Sequence, residues 1–399
     1  MKNITLEKSI VFLFFLSFFL LGLNIFRDYG ISIDEDNLRM VGFLSLETVS
    51  NFFSFENFSI KLEEIIKDNS SAHPRDEVST SGIIFDLPMS LIEYLFDLKD
   101  SRSHFLLRHF FTFFIFYISV YFFYIIIKKK YNSYFLALIG CLFLIISPRI
   151  FANSFYNSKD IIFMSLLIIS IHYTFRFIRN QNLMSVVLLS LIFSLMINLR
   201  ILGIIFPILS SLFFIIYQLR QKRIEINSYL NFILFYFLII LFSIIISPEL
   251  WKNTLTNVLD IVLFLKEHFL KIYVLYLGKF YYLSEVPWHY HMVWIGISTP
   301  LLYLFFFAIG FLNLTIRFFK RLINIDKNDS LKDLWRGNKE LEDLYFLFAW
   351  IISIFIIIDV GMLRYNDWRH LYFTYPLFIL ISLNGIYRSI NLIKFKYSN

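Results

Sequence analysis

The sequence predicts an all-α integral membrane protein that crosses the bilayer many times. Three observations carry that expectation. Of its 399 residues 58% are hydrophobic and only 17% charged, with a mean hydropathy of +0.66. The apolar residues, 51 Phe among them, come in blocks of membrane-crossing length rather than at amphipathic spacing. Lys and Arg then alternate by side: Lys128 to Lys130, Arg176 with Arg179, Arg220 with Lys222 and Arg223, Arg317 with Lys320 and Arg321, and Arg388 with Lys394 and Lys396 all share one face if the N-terminus is cytoplasmic. A soluble enzyme is excluded. The net charge of +7 is topology rather than a nucleic-acid footprint. A single cysteine, Cys141 inside a span, excludes disulfides and Cys-ligated metals within one chain.

The chain reads as one transmembrane domain over residues 1–399, with ten spans at roughly 9–26, 108–127, 132–147, 161–178, 183–198, 203–219, 229–246, 294–316, 344–359 and 371–388. The first block, Ile10 to Phe26, follows Lys2 and Lys8 but lacks a small-x-small cleavage pattern, so it reads as a retained span and not a signal peptide. Both termini and the 317–343 loop fall on the cytoplasmic side; that loop interleaves charges and reads as a solvated connection. The larger loops, 27–107 and 247–293, fall outside. Loop 27–107 holds 15 acids against 7 Lys or Arg. Its stretches Leu62 to Lys67 and Ile83 to Phe96 mix apolar and charged residues as interfacial helices do.

Polar residues converge on the outer side in four places. The first is Arg27-Asp28-Tyr29-Gly30 with Asp34-Glu35-Asp36, directly after span one. Carboxylates at the mouth of a membrane segment cost desolvation unless they stay wet, pair or react. On a helix Glu35 points about 100° from Asp34, so the two can hold different jobs. The second is Ser147-Pro148-Arg149 followed by Tyr156 and Lys159-Asp160. A cation at that height meets a lipid phosphate or simply snorkels to the interface. The third is Asn198-Leu199-Arg200, where an arginine against the positive-inside tendency needs a phosphate or an acid as partner. The fourth is Tyr365 to His370: Arg369 suits bidentate contact with phosphate or carboxylate, while Trp368 fits an aromatic belt equally well. Loop 247–293 adds Trp288, His289 and several tyrosines, which suit a sugar ring, a polyprenyl chain or a membrane interface. His73 in the first loop is compatible with substrate contact. No HExxH, phosphate-loop, dinucleotide or EF-hand motif occurs.

Taken in order, these segments resemble the polytopic GT-C glycosyltransferases of the protein O-mannosyltransferase and lipid A aminoarabinose transferase superfamily, glycosyltransferase family 39. The matching elements are Asp28-Tyr29-Gly30 with Asp34-Glu35, His73-Pro74, Arg108-His109, Ser147-Pro148-Arg149, Ser154 to Asp160, Asn198 to Gly203, Tyr276 to Lys279, Pro287 to Tyr290, and Arg369-His370. The chain departs from the familiar form at Arg75, where a second proline is usual, and at Asp367, where glycine is usual.

The resemblance implies the GT-C fold and transfer of a sugar from a polyprenyl-phosphate donor, with inversion, to a hydroxyl or amine of a glycan, lipid or protein. It places the protein in the inner membrane of a bacterium, with its site facing outward. Asp34 is then the expected general base and Glu35 its assistant. Lys159, Arg200 and Arg369 are expected to bind the donor phosphate, where negative charge grows. Asp28, His73, Arg149, Tyr156, Trp288, His289 and His370 are expected to contact substrate. No cofactor is expected; a single divalent cation on Asp34 and Glu35 is the alternative. The rival reading is a transporter or flippase for a lipid-linked sugar, which would more often show internal repeats.

Overall fold

The computed structural model describes residues 2–69, 82–221, 226–267, 272–323, 334–360 and 364–397. His73, with Pro74 and Arg75, lies outside the described residues. The first span is α1 (Lys2–Ile25). The segment after it folds as three further helices, α2 (Glu35–Phe52), α3 (Glu56–Asn69) and α4 (Asp86–Leu95). The expected stretch Leu62 to Lys67 falls within α3 and the expected stretch Ile83 to Phe96 contains α4; both helices pack against α2 around Met40, Phe43, Leu46 and Leu62. Gly42 permits this: a Cβ there would collide with the Asp86 carbonyl and the Ser90 side chain of α4.

Next come α5 (Ser101–Tyr131), the pair α6 (Tyr134–Ile145) and α7 (Pro148–Tyr156), then α8 (Ser158–Asn180), α9 (Leu183–Leu199), α10 (Ile205–Gln221) and α11 (Ile226–Ile246). Short polar residues start several of these. Asp100, Ser133, Asn157 and Asn182 each accept a hydrogen bond from a first-turn backbone N–H. α12 (Thr254–Glu267) leads to a hairpin of β1 (Tyr273–Tyr276) and β2 (Lys279–Tyr282), paired antiparallel with Tyr273 opposite Tyr282. The chain finishes with α13 (Tyr290–Ser298), α14 (Leu301–Ile323), α15 (Asn338–Val360) and α16 (Tyr375–Tyr397).

Eight of the described helical segments are long and apolar enough to cross a membrane, or up to nine if the bent pair α6 and α7 is one span. Three of the ten expected spans are altered, each for a local reason. Pro148 cannot continue the hydrogen-bond ladder of α6, and the chain turns by 70° into α7. α9 is apolar but only 17 residues long. The expected span 294–316 is interrupted between α13 and α14, where Thr299 is extended (ψ 134°) before Pro300. The charged stretch expected as loop 317–343 is partly helical: α14 continues to Ile323, and its Arg317 reaches Asp343 of α15 at 2.8 Å.

The core is dominated by phenylalanine, with Phe113, Phe116, Phe123, Phe155 and Phe193 fully buried. α11 is the opposite case: Ile233 is 65% and Phe237 58% exposed, a surface suited to lipid and not to water. Small residues bring α14 and α16 together, since a Cβ at Gly310 would meet the Ile381 carbonyl and one at Gly385 the Phe306 carbonyl.

Candidate active site

A cavity of about 410 Å³ gathers residues from four separate parts of the chain. It is lined by Ser32 to Asp34 with Asn37 and Leu38, by Asn153, Tyr156, Asn157, Lys159 and Asp160, by Arg200, and by Tyr365, Arg369 and His370. Aromatic stacking sets the approach of the first segment. Tyr29 lies flat on Phe155 (centroids 4.7 Å apart), and Phe155 lies flat on Phe113 (5.2 Å), which ties the chain leaving α1 to α7 and α5.

The two neighbouring acids have different fates. Asp34 caps α2 by position but makes no side-chain cap bond; its carboxylate instead accepts from Arg369 Nη1 at 2.6 Å, and its side chain is 47% exposed. Glu35 is buried. It accepts a hydrogen bond from the Ser32 N–H (2.6 Å) and meets His109 Nε2 of α5 at 2.8 Å. Glu35 thus anchors the Ser32–Asp34 turn to the membrane helices and is absent from the cavity lining. No group of three His, Cys, Asp or Glu among the described residues is arranged to hold a metal.

Asp160 is the hub. It sits in the first turn of α8, which Asn157 caps by accepting from the Asp160 N–H at 3.0 Å. Its buried carboxylate pairs with Arg200 through Oδ1, and with Arg369 Nε (3.3 Å) and Asn157 Nδ2 (3.0 Å) through Oδ2. Arg369 therefore bridges Asp34 and Asp160. Arg200 also approaches His370 Nδ1 (3.3 Å), which makes Nδ1 the acceptor and puts the imidazole proton on Nε2. Lys159 lines the same cavity and makes no ion pair or hydrogen bond among the described residues. With Lys159, Arg200 and Arg369 against Asp34 and Asp160, the cavity carries one more cation than carboxylate.

The turn before Arg369 explains a departure noted in the sequence. Asn366 and Asp367 both have positive φ, 50° and 57°, a region that favours glycine and tolerates Asn and Asp. Asp367 pairs with Arg149 of α7, and its N–H donates to the Tyr290 hydroxyl at 3.0 Å. Burial holds the Asp367 carboxyl above its ordinary range, against the pull of Arg149. Arg149 also stands over the Trp294 ring, 5.4 Å from its centroid.

Of the expected site residues, Asp34, Lys159, Arg200, Arg369, Tyr156 and His370 line one cavity. Glu35 and Arg149 support its walls from outside. Asp28 is exposed and not part of the lining. Trp288 is also exposed, and His289 Nδ1 meets the Tyr276 hydroxyl at 2.7 Å within the β1–β2 region, apart from the lining. Asp160, Asn157 and Tyr365 line the cavity without having been assigned a role from sequence. The signal for Asp160 was available: two outer arginines required a carboxylate, and Asp160 stood beside Lys159.

Residues 91–251 match the family described as dolichyl-phosphate-mannose-protein mannosyltransferase. The match supports a GT-C, family 39, protein O-mannosyltransferase-like assignment. It spans Lys159, Asp160 and Arg200 but not Asp34, Arg369 or His370. Neither a curated protein nor a solved structure matches the chain.

Proposed function

We propose that this chain, a multi-pass membrane protein of glycosyltransferase-like family, moves a sugar from a polyprenyl-phosphate donor to an acceptor hydroxyl or amine, and that the cavity around Asp34 is where it does so. A general polyprenyl-phosphate-sugar reaction is what the family match supports. The observation that carries the assignment to this cavity is the meeting of one half-exposed carboxylate with three cations in a space lined from four parts of the chain.

In this reading the acceptor oxygen or nitrogen attacks C1 of the sugar while Asp34 takes its proton. The new bond to C1 forms as the bond from C1 to the phosphate oxygen breaks, and polyprenyl phosphate leaves with the electron pair. Lys159, which makes no ion pair or hydrogen bond among the described residues, meets the donor phosphate first; Arg200 and Arg369 supply further charge where the leaving oxygen becomes anionic. A phosphate that takes Arg369 from Asp34 leaves that carboxylate free to accept a proton. Asp160 keeps both arginines aimed, and Tyr156 with His370 contacts the sugar.

The positive-inside pattern supports a cytoplasmic N-terminus and an outward-facing cavity. A cysteine introduced at Lys99, whose side chain is 82% exposed, should then react with an impermeant thiol reagent in intact cells, since Cys141 is buried. Labelling only after permeabilisation would reverse the orientation.

The decisive experiment is mass spectrometry of lipid-linked sugars and of cell-surface glycans with and without the protein. A transferase consumes one lipid-linked sugar and leaves its mark on an acceptor. Loss of no modification, with a lipid-linked sugar merely redistributed across the membrane, would show a carrier instead.

A further inference from the structure

The end of the helix bundle remote from the candidate active site carries a second cavity that the glycosyl-transfer reading does not use. α5 is 31 residues long and so spans roughly 45 Å, from the Arg108–His109 end to Lys129–Lys130. α8 likewise runs from Lys159 to Arg179. Where the last turns of these two helices meet the start of α15 there is a cavity of about 340 Å³.

Its rim carries Lys129, Lys130, Arg176, Arg179 and Lys339 against a single carboxylate, Glu342. Two of these cations are held in place. Lys130 is buried, pairs with Asp343 at 2.8 Å and donates to the Lys339 carbonyl at 2.7 Å; Arg179 pairs with Glu342. The side chains of Lys129, Arg176 and Lys339 are exposed and make no ion pair or hydrogen bond among the described residues.

Topology alone accounts for cations at this end of the helices, but not for a cavity beneath them. Ile126 and Phe175 line it about one helical turn inward from Lys130 and Arg179, so a charged rim stands over an apolar wall. That combination fits an amphiphile better than a free ion. A neighbouring cavity of about 350 Å³ shares Lys130 and Lys339 and adds Arg317 and Arg388 against Glu340 and Asp343, with Lys130 and Arg317 both paired to Asp343.

We propose that this cavity binds the phosphate headgroup of an anionic membrane lipid, with the head among Lys129, Arg176 and Lys339 and the start of an acyl chain against Ile126 and Phe175. The excess of cations is left for a phosphate that the protein itself does not supply. Binding here is independent of the reaction proposed for the other cavity.

The test uses the full chain purified in detergent and exposed to phosphatidylglycerol, phosphatidylcholine or inorganic pyrophosphate, with bound species counted by native mass spectrometry. Phosphatidylglycerol should be retained in preference to phosphatidylcholine. The combined Lys129→Gln, Arg176→Gln and Lys339→Gln variant should weaken that binding by roughly 100-fold, at about fivefold per cation. The single Arg176→Gln variant, with an expected loss of about fivefold, serves if the triple variant does not fold. Equal retention of the two lipids, unchanged binding by the variants, or saturation by pyrophosphate with no lipid retained would overturn the proposal.

Discussion

Two charged clusters stand near the first three helices after α1, and they are built to opposite ends. Beneath α2 and α4, Arg39 pairs with Glu93 at 2.6 Å, Arg108 pairs with Asp86 at 3.0 Å, and His104 approaches Glu93 at 3.3 Å, all with side chains no more than 8% exposed. Two arginines face two carboxylates, and Arg108 also donates to Ser90. In the cavity cluster three cations face two carboxylates, Asp34 is half exposed and Lys159 is unspent. The same residue types therefore do different work. The closed cluster pairs its arginines with its carboxylates and clamps α2 and α4 to α5; the open one retains charge for something that arrives. A buried pair is costly to break because the survivor is left uncompensated, whereas an open site loses function first.

The largest effect should come from the open cluster. Asp34→Asn should lower sugar transfer by about 10²- to 10⁴-fold, the range of a general base, while leaving the thermal unfolding midpoint and donor binding unchanged. Full turnover by this variant would remove Asp34 from the chemistry.

The closed cluster should respond in the reverse way. Arg108→Ala leaves Asp86 and Glu93 facing each other's charge and should cost about 3–5 kcal/mol of stability, read as loss of monodisperse protein in detergent. If that variant folds normally, the clamp is not structural.

A third test divides stability from function within the cavity. Lys159→Gln should reduce kcat/KM for the lipid-linked donor by an amount equivalent to about 1.5–3 kcal/mol, the worth of a hydrogen bond to a charged group, with the unfolding midpoint unmoved. A drop in stability without a kinetic effect would make Lys159 part of the scaffold.

The two clusters should also titrate differently. Burial pushes the Asp86 carboxyl up to about 6 from an ordinary 3.8, with Arg108 pulling the other way. The folded chain thus binds this proton more tightly than the unfolded chain. Stability from this group grows as pH falls from about 6 toward 3.8 and is lost as pH rises through about 6. An infrared carboxyl signal that titrates near pH 6 and vanishes in Asp86→Asn would bear this out, and a midpoint near 3.8 would contradict it.

The smallest effect concerns the turn that carries Arg369. Asp367→Gly removes the ion pair to Arg149 but relieves a positive φ of 57°, so stability should change by less than about 1 kcal/mol in a thermal scan. Asp367→Val, with a β-branched residue at the same φ, should cost more than the glycine variant.

How legible the site was depends on the kind of information each residue carried. Asp34, Lys159, Arg200 and Arg369 stood out because a charge at the end of an apolar block is anomalous within its own segment. Asp160 was visible only as a neighbour of Lys159, since its importance lies in meeting two arginines 40 and 209 positions away. Glu35 and Asp34 looked alike in sequence; a helix turn and a histidine 74 residues further on separate them. Arg149 was expected to contact substrate, and its contact with Asp367, across 218 residues, accounts for its charge.

By itself the sequence determined the membrane class and the approximate spans, because hydropathy is summed locally over some twenty residues. The break at Pro148 was equally local, a matter of a missing N–H, whereas the expected span 294–316 ran through Pro300 and is interrupted there. Only the tertiary structure decided which acids were spent on neighbours and which were left facing a cavity. Asp34 and Arg369 are 335 residues apart and meet only once α2 and the start of the last span are packed together. Ion pairing of that kind follows from the three-dimensional arrangement of helices, and no window along the chain contains it.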